Sequence, residues 1–540
     1  MFSLKSVATV GGLTLTSRAL GFLREMMIAH QLGTGPVAEA FFVAMRLPNL
    51  FRQMFAEGAF NSAFVPMFAR KIEEDGVADA KVFAEKVLSV LLVVLLVVTI
   101  GAELTMPWLI RVFAPGFHVF PEKFRLAILL TAITFPYLLF MSLCALQGGV
   151  LNSLHKFTAA AAAPIMLNLT LIGTLLIPTK SDEQAGVILA WAVSLAGVLQ
   201  FLWLTISCRR AGMRLRLHWP RLTPDVARMM KLMVPGLIGG GLNQINMAIA
   251  TILATLQAGA VSYLYYADRL YQLPLALIGS AIGVVLLPSL TRALRSGQAN
   301  EASHVQNRAI ELGLTLSLPA AVGLAVASHP IIAAVYQRGA FLPSDTQAVA
   351  AALSAVAVGL PAYVLNKALA PGFLAREDTM TPFRFAMIGV AADIVIAVAL
   401  FQVIGYVGIA CGTAGAAWIN AGMLYMRLRR RKMLESDARI RRVLPRLAAS
   451  AALMGAALWS AIHWGQPYLT GGEMQRVGGL AVLILFGLCV YAAAVLLTGA
   501  VSLSDLPGRR RARLLPPSDG TAAGPAAETT SVRGTEPSDG

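Results

Sequence analysis

Apolar residues in this chain arrive in blocks rather than in the alternating or one-sided patterns of a soluble fold. The run from Val87 to Ile110 is typical: almost wholly apolar, with a single acid, Glu103, inside it. A helix that crosses a bilayer needs about 20 such residues. Scanning the chain for blocks of that length predicts fourteen spans, near 6–32, 37–68, 84–111, 124–152, 158–178, 186–208, 227–258, 262–292, 307–337, 346–374, 382–405, 407–428, 444–464 and 477–501. The expected fold is an all-α polytopic membrane protein. The first block carries Arg18 and Arg24 and is too long for the core of a cleavable signal peptide.

Composition agrees. Of 540 residues 57% are hydrophobic and only 13% charged, against about 25% charged in soluble domains. The net charge of +16 invites a nucleic-acid reading, but its placement answers otherwise. Assigning the gaps between spans to alternate sides puts 30 Lys and Arg after even-numbered spans and 6 after odd-numbered ones. Basic residues mark the cytoplasmic side, so both termini are expected in the cytoplasm and no nucleic-acid partner is implied. Beyond about Pro516 the chain turns to Ser, Gly, Ala, Pro, Thr and Glu, a composition expected to stay disordered. The cluster Arg509, Arg510, Arg511 and Arg513 before it suits anionic headgroups. Cys144, Cys208, Cys411 and Cys489 lack metal or disulfide spacing and read as small core residues.

A faint duplication runs through the first twelve spans. PWLIRVFAPG at 107–116 is echoed by PIIAAVYQRG at 330–339, each expected to end a helix, and PMFAR at 66–70 by PSLTR at 288–292. A looser series, Pro136, Gly149 and Pro164, is matched by Pro361, Gly372 and Pro382. Six spans per copy is an even number, so the copies share an orientation and are related by a pseudo-two-fold along the membrane normal, as in transporters with two lobes around a central site. The expected organisation is an N-lobe at 1–221, a C-lobe at 222–437, two further helices at 438–503 and a cytoplasmic tail at 504–540.

Six basic residues fall well inside spans: Arg18, Arg24, Arg46, Arg52, Arg269 and Lys367. Each costs about 2.5–3.5 kcal/mol at a lipid-exposed helix centre. Acids accompany them at Glu25, Glu39, Glu57, Asp268 and Asp393. Mutual pairing explains part of this set, notably where Asp268 adjoins Arg269, but not the excess of arginine. Arginine suits bidentate phosphate contact, so Arg18, Arg24, Arg52 and Arg269 point to a substrate with a dense negative group such as pyrophosphate. Gly21 and Pro48 are expected to let the first two spans bend around that cavity. No enzyme signature competes: the chain has no Gly-Lys dipeptide for a P-loop, and its seven histidines form no close metal pair. No catalytic residue, metal or cofactor is expected.

Six motifs resemble those of the MurJ (MviN) lipid II flippases: SRALGFLRE at 17–25, AFFVA at 40–44, LPNLFR at 47–52, FAEGAF at 55–60, YYADRL at 265–270 and LAPGFLAREDTMTP at 369–382. The likeness runs from the start to about residue 500. It implies the fold of the multidrug/oligosaccharidyl-lipid/polysaccharide exporter superfamily, two six-helix lobes with two extra C-terminal helices that help hold a polyprenyl tail. It implies lipid II as substrate, carried across the bacterial inner membrane by alternating access, with membrane lipids and cell-wall synthesis proteins as partners. Arg18, Arg24, Arg52 and Arg269 match the cavity cations of that family, with Gly21, Pro48, Glu57 and Asp268 in supporting or gating places. Glu25 and Glu39 stand where the family usually has Asp. Some members bind sodium between helices seven, eleven and twelve. Here Asp393 and Thr413 are available for ion coupling, but Ala250 and Ala397 fall where two carboxylates are expected, so no sodium site is expected. The alternatives are a polysaccharide-unit or drug exporter of the same superfamily and a membrane glycosyltransferase acting on the same lipid.

Overall fold

The computed structural model describes residues 4–500 apart from 436, with the backbone alone for 4–8, 56, 57, 59, 238–240, 242, 243, 280, 284, 285 and 299. The expected disordered tail and its arginine cluster lie outside the described residues. Every regular element among those described is helical. The first half holds α1 (Leu4–Leu32), α2 (Pro36–Phe51), a π-helical run (Arg52–Phe60), α3 (Asn61–Glu74), α4 (Gly76–Leu104), α5 (Met106–Phe113), a 3-10 turn (Pro115–Val119), α6 (Pro121–Thr134), α7 (Tyr137–Ser153), α8 (Phe157–Leu175) and α9 (Asp182–Arg210). The second holds α10 (Pro224–Thr255), α11 (Ala260–Arg295), α12 (Ala299–Val326), α13 (Ser328–Val335), α14 (Pro343–Ala357), α15 (Leu360–Leu374), α16 (Met380–Ile404) and α17 (Tyr406–Arg430). After them come α18 (Ala438–Trp464), the short α19 (Gln466–Leu469) and α20 (Glu473–Leu497).

Among the described residues, eleven helical stretches are long and apolar enough to cross a membrane. The spans expected at 6–32, 37–68 and 227–258 are not among them. The first two are diluted by charge, through Arg18, Arg24 and Glu25 in α1 and Glu39, Arg46 and Arg52 along α2 and the π-run. In α10 only Gln244–Thr255 registers as an apolar run.

Several helix boundaries recur at the spacing expected of a duplication. Helix α5 ends at Phe113 and α13 at Val335; α6 opens at Pro121 and α14 at Pro343, both pairs 222 residues apart. Helices α8 and α16 open at Phe157 and Met380, 223 apart. The motifs beginning at Pro107 and Pro330 open short helices rather than ending long ones. Each proline sits in the first turn of α5 or α13, where a missing N–H costs nothing.

The two halves share one large buried cluster at one end, and at the other only α10 of the second half packs against the first among the described residues. At the end carrying the α1–α2 and α13–α14 connections, a single buried cluster draws on both halves, with Phe41, Met106 and Phe117 packed alongside Val261, Tyr266 and Phe341. At the opposite end the apolar residues divide into two clusters, one of first-half residues around Phe64 and Phe83 that takes in Met229 of α10, and one around Leu290, Leu428 and Leu447. The closed end is sealed backbone to backbone. Gly116 packs so tightly on Thr255 that a Cβ there would lie 1.9 Å from the Thr255 carbonyl oxygen. Gly33, at φ +58°, sits under Ala340, where a Cβ would lie 2.4 Å from its carbonyl oxygen, a conformation that glycine alone adopts freely. Ala340 N–H donates to the His30 carbonyl at 2.8 Å, and Thr34 Oγ1 donates to Asp345 Oδ1 at 2.6 Å.

Candidate substrate cavity

Helix α1 runs without a break, and Gly21 is a contact point rather than a bend: its Cα faces the Asn168 side chain of α8. Asn168 Nδ2 donates to the Ser17 carbonyl at 2.9 Å, and Asn168 Oδ1 accepts from Arg24 Nη1 at 2.9 Å. One amide thus holds both the backbone of α1 and its central arginine. The irregularity expected at Pro48 appears just downstream, in the π-helical run that opens at Arg52. Pro48 has no N–H for the carbonyl four residues back, that of Ala44, and Thr134 Oγ1 of α6 donates to it instead at 2.9 Å. Arg52 Nε donates to Asn49 Oδ1 at 2.8 Å on the adjoining turn.

Three of the predicted residues come together between the halves. Arg24 pairs directly with Glu25, which is 4% exposed, and Tyr265 of α11 donates to the same Glu25 oxygen at 3.1 Å. Arg269, one turn further along α11, donates from Nη2 to the Tyr265 hydroxyl at 3.2 Å and places Nε 3.8 Å from Glu25. Its guanidinium lies over the Tyr265 ring, 4.7 Å from the centroid, and that ring stacks on Phe42 of α2. Glu25 is therefore the joint between α1 and α11. Arg24 Nε, Arg269 Nε and Glu25 Oε2 are buried there without hydrogen-bond partners, so the knot still has donors to offer.

On the neighbouring face of α11, Asp268 and Gln272 hydrogen-bond to each other and line a cavity of about 370 Å³. Arg46, Lys367, Tyr271, Asn246 and Thr413 also line it. Arg46 makes no hydrogen bond or ion pair among the described residues, and the buried Tyr271 hydroxyl has no partner. Asp268 and Arg269 adjoin in sequence but make no direct ion pair: Asp268 accepts from Gln272 while Arg269 turns to Tyr265 and Glu25. Arg18 is exposed on α1. The Glu57 side chain lies outside the described residues.

Glu39 departs from expectation. It is 2% exposed, paired directly with Lys123 of α6, and accepts from Val261 N–H at 3.2 Å. Both carboxylate oxygens are engaged inside the closed end, so in this conformation Glu39 latches the halves and faces no substrate. Lys123 gave no sequence signal, because it lies at a span edge among ordinary loop charges.

Asp393 is buried on α16, accepting from Asn246 Nδ2 at 2.7 Å and, at a long 3.5 Å, from Thr413 Oγ1. Ala250 and Ala397 present only methyl groups nearby. One carboxylate and one hydroxyl, with an amide N–H turned inward, fall short of the several oxygens a hard cation takes. The side chains do not fit a sodium ion.

Helical halves sealed at one end over a cationic cavity define a membrane transporter. A solved structure described as "Lipid II flippase MurJ, inward closed conformation" overlays with a TM-score of 0.75 at 24% identity, covering 90% of this chain and 97% of that one. An inward-facing multidrug transporter of the MATE family overlays at 0.64 and 15% identity, over 79% and 98%. The sequence narrows the class. The family model "Lipid II flippase MurJ" matches residues 28–477. A probable lipid II flippase MurJ of Rhizobium tropici is 46% identical over 97% of this chain and 99% of its own. The lipid II flippase MurJ of Burkholderia cenocepacia is 33% identical over 90% and 96%. The chain belongs to the lipid II flippase MurJ family.

Proposed function

We infer that this chain is a lipid II flippase: a multi-pass inner-membrane protein that carries the undecaprenyl-pyrophosphate-linked peptidoglycan precursor from the cytoplasmic to the periplasmic leaflet. The observation that carries the reading is the Arg24–Glu25–Arg269 knot, a carboxylate joining arginines from both halves beside a cavity that also holds Arg46 and Lys367. A pyrophosphate entering that cavity competes with Glu25 for the arginines, since both present the oxygens that guanidinium binds. Binding therefore loosens the α1–α11 joint, which couples the headgroup to relative movement of the halves.

Fourteen helices span in this reading. The first twelve form an N-lobe at 1–221 and a C-lobe at 222–437, supported by the repeated helix boundaries. Helices α18 and α20, within 438–503, flank the polyprenyl tail. Both termini and the tail from 504 are cytoplasmic, which makes the sealed end periplasmic and the resting state inward-facing. Arg18, Arg24, Glu25, Arg52 and Arg269 contact the headgroup. Gly21, Pro48, Glu57 and Asp268 support them, and Glu39 acts through the periplasmic latch. Cell-wall synthesis proteins are the natural neighbours of such a transporter. The deciding experiment is complementation of a strain depleted of its own lipid II flippase, with periplasmic lipid II measured directly. Growth accompanied by restored external lipid II supports the reading; viable cells without it overturn it.

A further inference from the structure

Away from the central cavity, where α16 begins and α17 ends, the helices form a second, open-sided cavity of about 350 Å³. Three arginines converge on it, Arg384 from α16 and Arg427 and Arg430 from α17, beside the apolar side chains of Phe385, Met423 and Met426. None of the three makes a side-chain hydrogen bond or ion pair among the described residues. Asp378, the acid facing this corner, is already engaged: it accepts from Arg431 Nη1 at 2.7 Å and from Thr381 N–H at 2.9 Å. Three exposed guanidinium groups converging on one hollow without a protein acceptor favour an anion there.

The surroundings say which kind. Ile388, Val395 and Val398 follow Arg384 by four, eleven and fourteen residues, which places them within about 40° of it on one face of α16, and all three are exposed. From Arg384 to Val398 that stripe descends about 21 Å, further than the ~15 Å hydrocarbon depth of one leaflet. A phosphate at the arginines would thus stand directly above an apolar track for an acyl chain. The first half lacks the α16 arginine: 223 residues earlier stands Ala161, although α9, like α17, ends in two arginines. The fold does not require the cluster at this position.

We propose that the cavity between α16 and α17 is a binding site for an anionic phospholipid of the cytoplasmic leaflet, its phosphodiester held by Arg384, Arg427 and Arg430 and one acyl chain lying along Ile388, Val395 and Val398. This rests on the topology given above. The site is separate from the substrate cavity, and basic pockets between helices on the cytoplasmic side are a known mode of headgroup recognition. It fastens a lipid to the α16–α17 hairpin that carries Asp393 and Thr413.

The test uses purified full-length protein and native mass spectrometry, which reads lipid retention independently of transport. Dioleoyl phosphatidylglycerol is expected to be retained in preference to dioleoyl phosphatidylcholine. Arg384→Gln and Arg427→Gln should each weaken retention about tenfold, in line with the loss of a hydrogen bond to a charged group. The triple change at Arg384, Arg427 and Arg430 should abolish the preference. Arg209→Gln, Arg210→Gln and Arg214→Gln together remove equal charge from the same membrane side and should leave retention within about twofold, since general charge attraction is not specific to one cavity. Equal losses from both triple variants, or no preference for phosphatidylglycerol, would overturn the proposal. So would displacement by glycerol 3-phosphate at equal concentration, which would make this a site for a soluble anion. Should the triple variant not fold, the single variants decide. Failure here leaves flippase complementation untouched, and failed complementation leaves the lipid preference to stand or fall by itself.

Discussion

Thr134 on α6 donates its hydroxyl to the Ala44 carbonyl of α2 at 2.9 Å, meeting the backbone acceptor that Pro48 leaves open. A buried carbonyl without that donor costs about 1–3 kcal/mol. Thr134→Val, which keeps shape and removes the hydroxyl, should therefore lower stability by that amount in detergent unfolding, while Thr134→Ser should stay near the parent. Equal stability of the Val variant would show that α2 re-forms its own bonds past Pro48.

The arginine knot makes a sharper demand. Arg24→Ala and Arg269→Ala should each reach the membrane and fail to complement, with Lys restoring function only in part because it keeps charge and loses the planar fork. A purely structural pairing would be repaired by removing both charges together. Glu25→Gln with Arg269→Ala is therefore expected to remain inactive. Complementation by that double variant would make the pair a structural tie.

Glu39 and Lys123 give the opposite pattern for stability. Removing one partner of a buried pair costs about 3–5 kcal/mol by stranding the other charge. Glu39→Gln should lower the unfolding midpoint strongly, and adding Lys123→Met should recover most of the loss. A single change without effect on the midpoint would mean the pair is open to water.

Orientation is checked with reporter fusions. Those after Gln298 and Met433 should read cytoplasmic and one after Gly471 periplasmic, as the distribution of basic residues requires. An external reading after Met433 would reverse the assignment of the sealed end.

Much of this was legible because lipid imposes harsh rules on composition. Blocks of apolar residues reveal most spans, and an arginine within one must be accounted for, which is how Arg24 and Arg269 stand out. Of the spans least visible by apolarity, α1 carries Arg24 and Glu25 of the knot, the broken second one puts Arg46 into the cavity, and α10 lines it with Asn246 and Ala250. What sequence spacing could not supply was direction and partnership. Asn168 reaches Arg24 across 144 positions and Tyr265 reaches Glu25 across 240. Asp268 and Arg269, adjacent and opposite in charge, feel each other's field but make their direct contacts elsewhere, with Gln272 and with Tyr265 and Glu25. Glu39 read as a cavity acid because nothing marked Lys123, 84 positions on, as its partner.

The contact of Gly116 with Thr255 has a consequence for the cell as a whole. Where backbone rests on backbone with no room for a methyl group, there is no room for a file of water molecules either. Protons and small ions find no conduit through that contact. A bacterium can keep many copies of this protein in its membrane, each waiting for cargo, without discharging the electrochemical gradient that the rest of its metabolism works to maintain.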